Sequence, residues 1–191
     1  MNIKSMVILP LLTGVSPAFA HEGNIHHSDV AMHQFIDGIV HPFTGILHLA
    51  LWLAVGVFIA QFSTKTAKRN AAIAVMVAVF GAMLLPVSLV NGAMLSPLLW
   101  GALLVISGAI WLRSESLNMA SNMIGAIGFA LLISSGFAHG SHLVSTYFAT
   151  GFVIGAGALL LMGIRIGKLI DVRKLSYALG LGGLFVTPFV G

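Results

Sequence analysis

The chain contains no cysteine, so neither a disulfide nor a thiolate metal site is open to it. Charge is almost as scarce. Only 7% of the 191 residues are Asp, Glu, Lys or Arg, where a soluble domain carries about 25%. No water-facing surface can be made from so few, and the mean hydropathy of +1.03 agrees. Sustained alternation of apolar and polar residues is missing, which favours helices over a transmembrane barrel. No GxxxxGK[ST] loop occurs, so there is no phosphate cradle for nucleotide hydrolysis. The five acidic residues all fall outside the expected spans. That leaves no carboxylate base for a membrane metallohydrolase, and no enzyme activity is expected. The pI near 9.9 does not point to nucleic acid, because the few cations have a different distribution to explain.

What is present is apolar sequence in long runs. Residues 1–20 read as a secretory signal: Lys4 precedes a short apolar core, and Ala18-Phe19-Ala20 forms a small-x-small cleavage site. Residues 21–40 form a His-rich polar segment, with His21, His26, His27 and His33 beside Glu22, Asp29 and Asp37. Ser28 is placed to cap a short helix from Asp29, on which His33, Asp37 and His41 share a stripe. Residues 41–191 then hold an all-α membrane domain, a bundle of about six transmembrane helices at roughly 20 residues each. The expected spans are 43–62, 71–90 with a kink at Pro86, a third ending at Leu112, 119–138, 146–164 and 175–190. Gly136/Gly140, Gly151/Gly155 and Gly163/Gly167 are small-xxx-small pairs, and they predict that the fourth and fifth spans pack closely together.

Two residue types are segregated. If the mature N-terminus lies outside, the loops after the first, third and fifth spans are cytoplasmic. Every Lys and Arg after the signal falls in those loops: Lys65, Lys68, Arg69, Arg113, Arg165, Lys168, Arg173 and Lys174. The positive-inside rule then places both mature termini in the periplasm and the chain in the bacterial inner membrane. All eight histidines fall on the other side, in the N-terminal segment, the outer half of the first span, or the outer end of the fourth. Imidazole and carboxylate gather where a divalent cation would arrive.

The run from His41 to Gly56 reads HPFTGILHLALWLAVG. Pro42 suits the first turn of a helix. On a continuous helix His41 and His48 share a face, with His48 roughly 10 Å deeper. An ionisable group at such depth usually faces the bundle interior and marks a site. The other histidine cluster is His139 with His142, at i and i+3, in the run FALLISSGFAHGSHL.

These runs resemble the HupE/UreJ family of bacterial membrane proteins. His41, Pro42, Gly45, His48, Ala54, Val55 and Gly56 match the family pattern HPxxGxDHxxxMxAVG, with Leu47 in place of its aspartate and Trp52 near its methionine. Gly136, Ala138, His139 and Gly140 match FHGxAHGxE, with Ser135 for histidine and His142 for glutamate. Tyr147, Gly151 and Phe152 resemble a later Y…GF, and Leu160 stands where a histidine is expected. The resemblance implies nickel and cobalt uptake.

The retained ligands are almost purely imidazole, which suits Ni²⁺, Co²⁺, Cu²⁺ and Zn²⁺ over harder ions. The candidate metal ligands are His41, His48, His139 and His142, with Asp37, His21 and His33 on the approach. Ser88, Asn91, Ser96, Ser134 and Ser135 are candidate supporting groups, each also explained as an interhelical hydrogen bond. The expected function is transport of a divalent transition-metal cation, Ni²⁺ first and Co²⁺ next, through a histidine-lined site open to the periplasm. The alternative is a membrane protein that binds a metal or haem without transporting it. No prosthetic group is expected. The expected partners are the lipid bilayer and the metal ion, with a homo-oligomer or a periplasmic metal donor left open.

Overall fold

The computed structural model describes residues 27–85, 92–140 and 144–186. The signal segment, His21 and His26, Pro86, Ser88, Asn91 and His142 lie outside these residues. Seven helices follow in order: α1 (His27–Thr44), α2 (Ile46–Ala60), α3 (Lys65–Leu84), α4 (Leu95–Ser114), α5 (Asn118–Gly140), α6 (Thr146–Leu169) and α7 (Val172–Val186). No strand occurs among the described residues. Among the described residues four helices are long and apolar enough to cross a bilayer, or five spans if the bent pair α1–α2 is one of them.

That bent pair departs from the sequence expectation. A continuous first span over 43–62 is not found. The chain turns by 79° between α1 and α2. Pro42 therefore sits in the last turn of α1, not in the first turn of a helix. Thr44 closes α1 by donating its hydroxyl to the His41 carbonyl at 3.0 Å. Gly45, extended at φ −96° and ψ 118°, caps α2, and its carbonyl accepts from the Leu49 amide at 2.9 Å. Two other expected limits also shift. The second span begins at Lys65, where Thr64 caps α3 by accepting from the Ala67 amide at 3.0 Å. The segment expected as a basic loop from Arg165 is helical through Leu169.

The packing is also rearranged. α5 is not the partner of the α6 glycines. Those glycines receive the two halves of the broken span. A side chain at Gly151 or Gly155 would strike the carbonyls of Phe35 and Ile39 on α1, and one at Gly163 would strike the Leu53 carbonyl on α2. Backbones this close gain dispersion contacts along the whole crossing, the driving force available where solvent is as apolar as Leu. α5 packs instead on α3 and α4, and α7 on α4. Trp52, Phe58, Leu51, Leu103, Ile106 and Leu159 are fully buried at the centre.

The charged ends come together. Arg113 at the end of α4 lies over the rings of Phe58 and Phe62 at the end of α2, and Arg173 pairs with Glu115 at 3.0 Å. The α2–α3, α4–α5 and α6–α7 connections therefore share one end of the bundle. The α1–α2 break and the end of α5 lie at the other.

Candidate metal centre

Three imidazoles from three helices converge at that other end. His41 ends α1, His48 lies in the first turn of α2, and His139 lies in the last turn of α5. The Nε2 atoms of His48 and His139 are 3.3 Å apart, as are those of His139 and His41. One ring nitrogen from each residue fits within a 4.8 Å span. Imidazole nitrogens at about 2.0–2.1 Å from a tetrahedral ion stand about 3.3 Å from one another, so two edges of such a site are already set.

Continuous helix would have held the first two apart. The ring centroids of His41 and His48 are 4.8 Å apart, where seven helical residues would separate their Cα atoms by about 10 Å. The break at Gly45 folds one ring back on the other. Gly45 also makes room for the result: a Cβ there would stand 2.8 Å from His48 Nδ1.

The supporting contacts orient the ring of His139. Its Nδ1 lies 2.9 Å from the Ser135 carbonyl. A carbonyl only accepts, so Nδ1 carries the proton and Nε2 presents its lone pair to the centre. That single in-plane lone pair faces the nitrogens of both His41 and His48. It can accept along its axis from only one of them, so the arrangement suits a shared cation. Phe152 forms the inner wall, with its ring centroid 5.5–6.2 Å from all three imidazoles. Phe148 closes the side of His41 at 5.4 Å. Trp52, one turn inward from His48, is fully buried with an indole N–H that has no hydrogen-bond partner.

The remaining expected residues are placed as follows. Asp37 and His33 lie one and two turns before His41 on the exposed side of α1, outside the cluster. His21 and His142 lie outside the described residues. The Ser134 and Ser135 hydroxyls turn away from the centre and donate to Ala130 and Leu132 on their own helix. It is the Ser135 backbone carbonyl that serves the site. Leu160, where the family pattern led us to expect a histidine, is buried beside Gly56. Phe148 was missed, although its i, i+4 spacing from Phe152 at the start of α6 puts both rings on one face.

A family model described as HupE / UreJ protein matches residues 9–188. The chain belongs to the HupE/UreJ family. It is a membrane family associated with nickel and cobalt transport, of transporter rather than enzyme type. No curated protein and no solved structure matches the chain. In this HupE/UreJ protein the two histidines of the first motif and the one retained in the second are the three that meet.

Proposed function

We propose that this HupE/UreJ protein carries a divalent transition-metal cation, Ni²⁺ first and Co²⁺ next, from the periplasm through the centre formed by His41, His48 and His139. The observation that carries this reading is the meeting of three imidazole nitrogens at the break of a membrane helix. Discontinuous helices are where transporters build ion sites, because the break frees backbone and redirects side chains. Imidazole ligands select borderline metals, and the shortage of carboxylate disfavours Mg²⁺ and Mn²⁺. We assign the approach to the His-rich segment with His21 and His33 and to Asp37, and count His142 as a further candidate ligand. We assign the basic end to the cytoplasm and both mature termini to the periplasm. The ion's own gradient, the membrane potential or a partner drives transport, since the sequence carries no GxxxxGK[ST] motif.

Replacing His48 with Ala should abolish Ni²⁺ uptake in cells that express the variant at wild-type level. Undiminished uptake would remove His48 from the path. The other reading, a metal held without transport, is favoured by the inner side of the site, where Leu51, Trp52 and Val55 are fully buried. It predicts bound Ni²⁺ on the purified protein and no His48-dependent uptake. A haem fits less well, because three rings inclined at 70–82° about one point surround an ion and leave no slot for a flat macrocycle.

A further inference from the structure

The opposite end of the bundle holds an open cavity of about 650 Å³ between α2, the start of α3, α4 and α5. Arg113 is its centre. The guanidinium lies 5.3 Å from the Phe62 ring and 5.8 Å from the Phe58 ring, which fix it by cation–π contact. Its Nη1 donates to Asn118 Oδ1 at 3.2 Å and its Nη2 to Asn122 Oδ1 at 2.9 Å. Its Nε is buried and has no hydrogen-bond partner. Among the described residues Glu115 pairs with Arg173 and Asp171 with Lys174, and no carboxylate pairs with Arg113 or lines the cavity.

The polarity of this cavity follows from the chemistry of its groups. A guanidinium can only donate, so both asparagines must turn their oxygens toward it. Each then keeps an NH₂ group that no described residue accepts. Ser63 adds a hydroxyl at the rim. Gln61 turns its Nε2 to the Val57 carbonyl, so the lining offers one cation without a carboxylate partner, the spare N–H groups of the two asparagines and one amide oxygen beside aromatic and alanine surface. A metal cation is repelled by that set, whereas an anion completes it.

We propose that the Arg113 cavity binds a phosphate-class anion, held by Arg113 with the amides of Asn118 and Asn122. Its position at a helix end beside Lys65, Lys68 and Arg69 is that of a bilayer headgroup. Half-buried Phe62 and Phe129 with exposed Ala126 supply an apolar flank that an acyl chain can cover. Free phosphate shares the recognition chemistry and lacks only the chain. This site is independent of the histidine centre.

The test uses the purified full chain, with native mass spectrometry of bound phosphatidylglycerol against phosphatidylcholine and a thermal-unfolding series in inorganic phosphate. The comparison variants are Arg113→Gln, Arg173→Gln and Ala126→Trp. Arg173→Gln removes one charge from the same end outside the cavity. Ala126→Trp fills the cavity and leaves Arg113 intact, so it decides the matter even if Arg113→Gln does not fold. Phosphatidylglycerol should be retained preferentially, and Arg113→Gln and Ala126→Trp should weaken it roughly tenfold, as expected for one charge-assisted hydrogen bond. Arg173→Gln should change it less than about twofold, in keeping with an exposed charge. No lipid preference, but Arg113-dependent stabilisation by millimolar phosphate, would support the same site with free phosphate as its ligand. Preference for neither, or equal losses in the Arg113 and Arg173 variants, would overturn the proposal.

Discussion

At the scale of single residues, the centre depends on what is absent at position 45 as much as on the imidazoles. An alanine at Gly45 would bring its Cβ to 2.8 Å from His48 Nδ1, and the ring would have to leave its place. Gly45→Ala should weaken Ni²⁺ binding on the order of tenfold to a hundredfold, the range for disturbing a group that supports a metal ligand. Gly81→Ala, where nothing stands within 4 Å of the new methyl, is the control and should bind as wild type. Isothermal titration of the purified variants checks both. Protonation gives a second expectation. Neutral imidazole is the ligand, and free imidazole takes up its proton near pH 6.5. Binding should be complete above that range and fall on acidification below it, because each ligand must release its proton to hold the ion. Affinity that no acidification short of unfolding lowers would exclude a three-histidine site.

At the scale of elements, the turn between α4 and α5 has a defined flaw. Ser116 adopts φ 65°, the left-handed region that favours glycine. The Ser116 amide reaches the Arg113 carbonyl at 3.1 Å and the Leu117 amide reaches Leu112 at 3.0 Å, the bond pair of a Schellman cap. Ser116→Gly should raise stability by about 1 kcal/mol, read as a higher midpoint in thermal unfolding. The α1–α6 crossing has the opposite sensitivity. Gly151→Val would drive a side chain into the Phe35 backbone, at a cost of about 1–3 kcal/mol or more for overpacking. It should also lower metal affinity, since α1 carries His41. The helical membrane class was legible from composition, and the two motifs from their resemblance to the family. The break at Gly45 was not. The apolar run continues through it without a change of character, and Pro42 reads as easily at the start of a helix as near its end. The two small-xxx-small pairs of α6 correctly marked close contacts, but periodicity does not name a partner. The glycines of α6 meet α1 and α2 instead of α5. The meeting of His41, His48 and His139 was therefore foreseeable as residue types on one side of the membrane, and its geometry was not.

At the scale of the whole molecule, the two ends are chemically distinct. Imidazoles meet at one, and every described Lys and Arg lies toward the other. The absence of native cysteine makes the assigned orientation open to direct test. A single cysteine at Ser63 should react with a membrane-impermeant maleimide only after the cytoplasmic side is opened, and one at Ser145 should react in intact spheroplasts. Reversed labelling would invert the topology and the direction of entry. The most direct measurement of the centre itself is X-ray absorption at the nickel edge on purified, Ni²⁺-loaded protein. Scattering from three imidazole rings is expected in the wild type, with one fewer in each of His41→Ala, His48→Ala and His139→Ala. Identical spectra and undiminished nickel content in all three variants would contradict a shared tri-histidine centre.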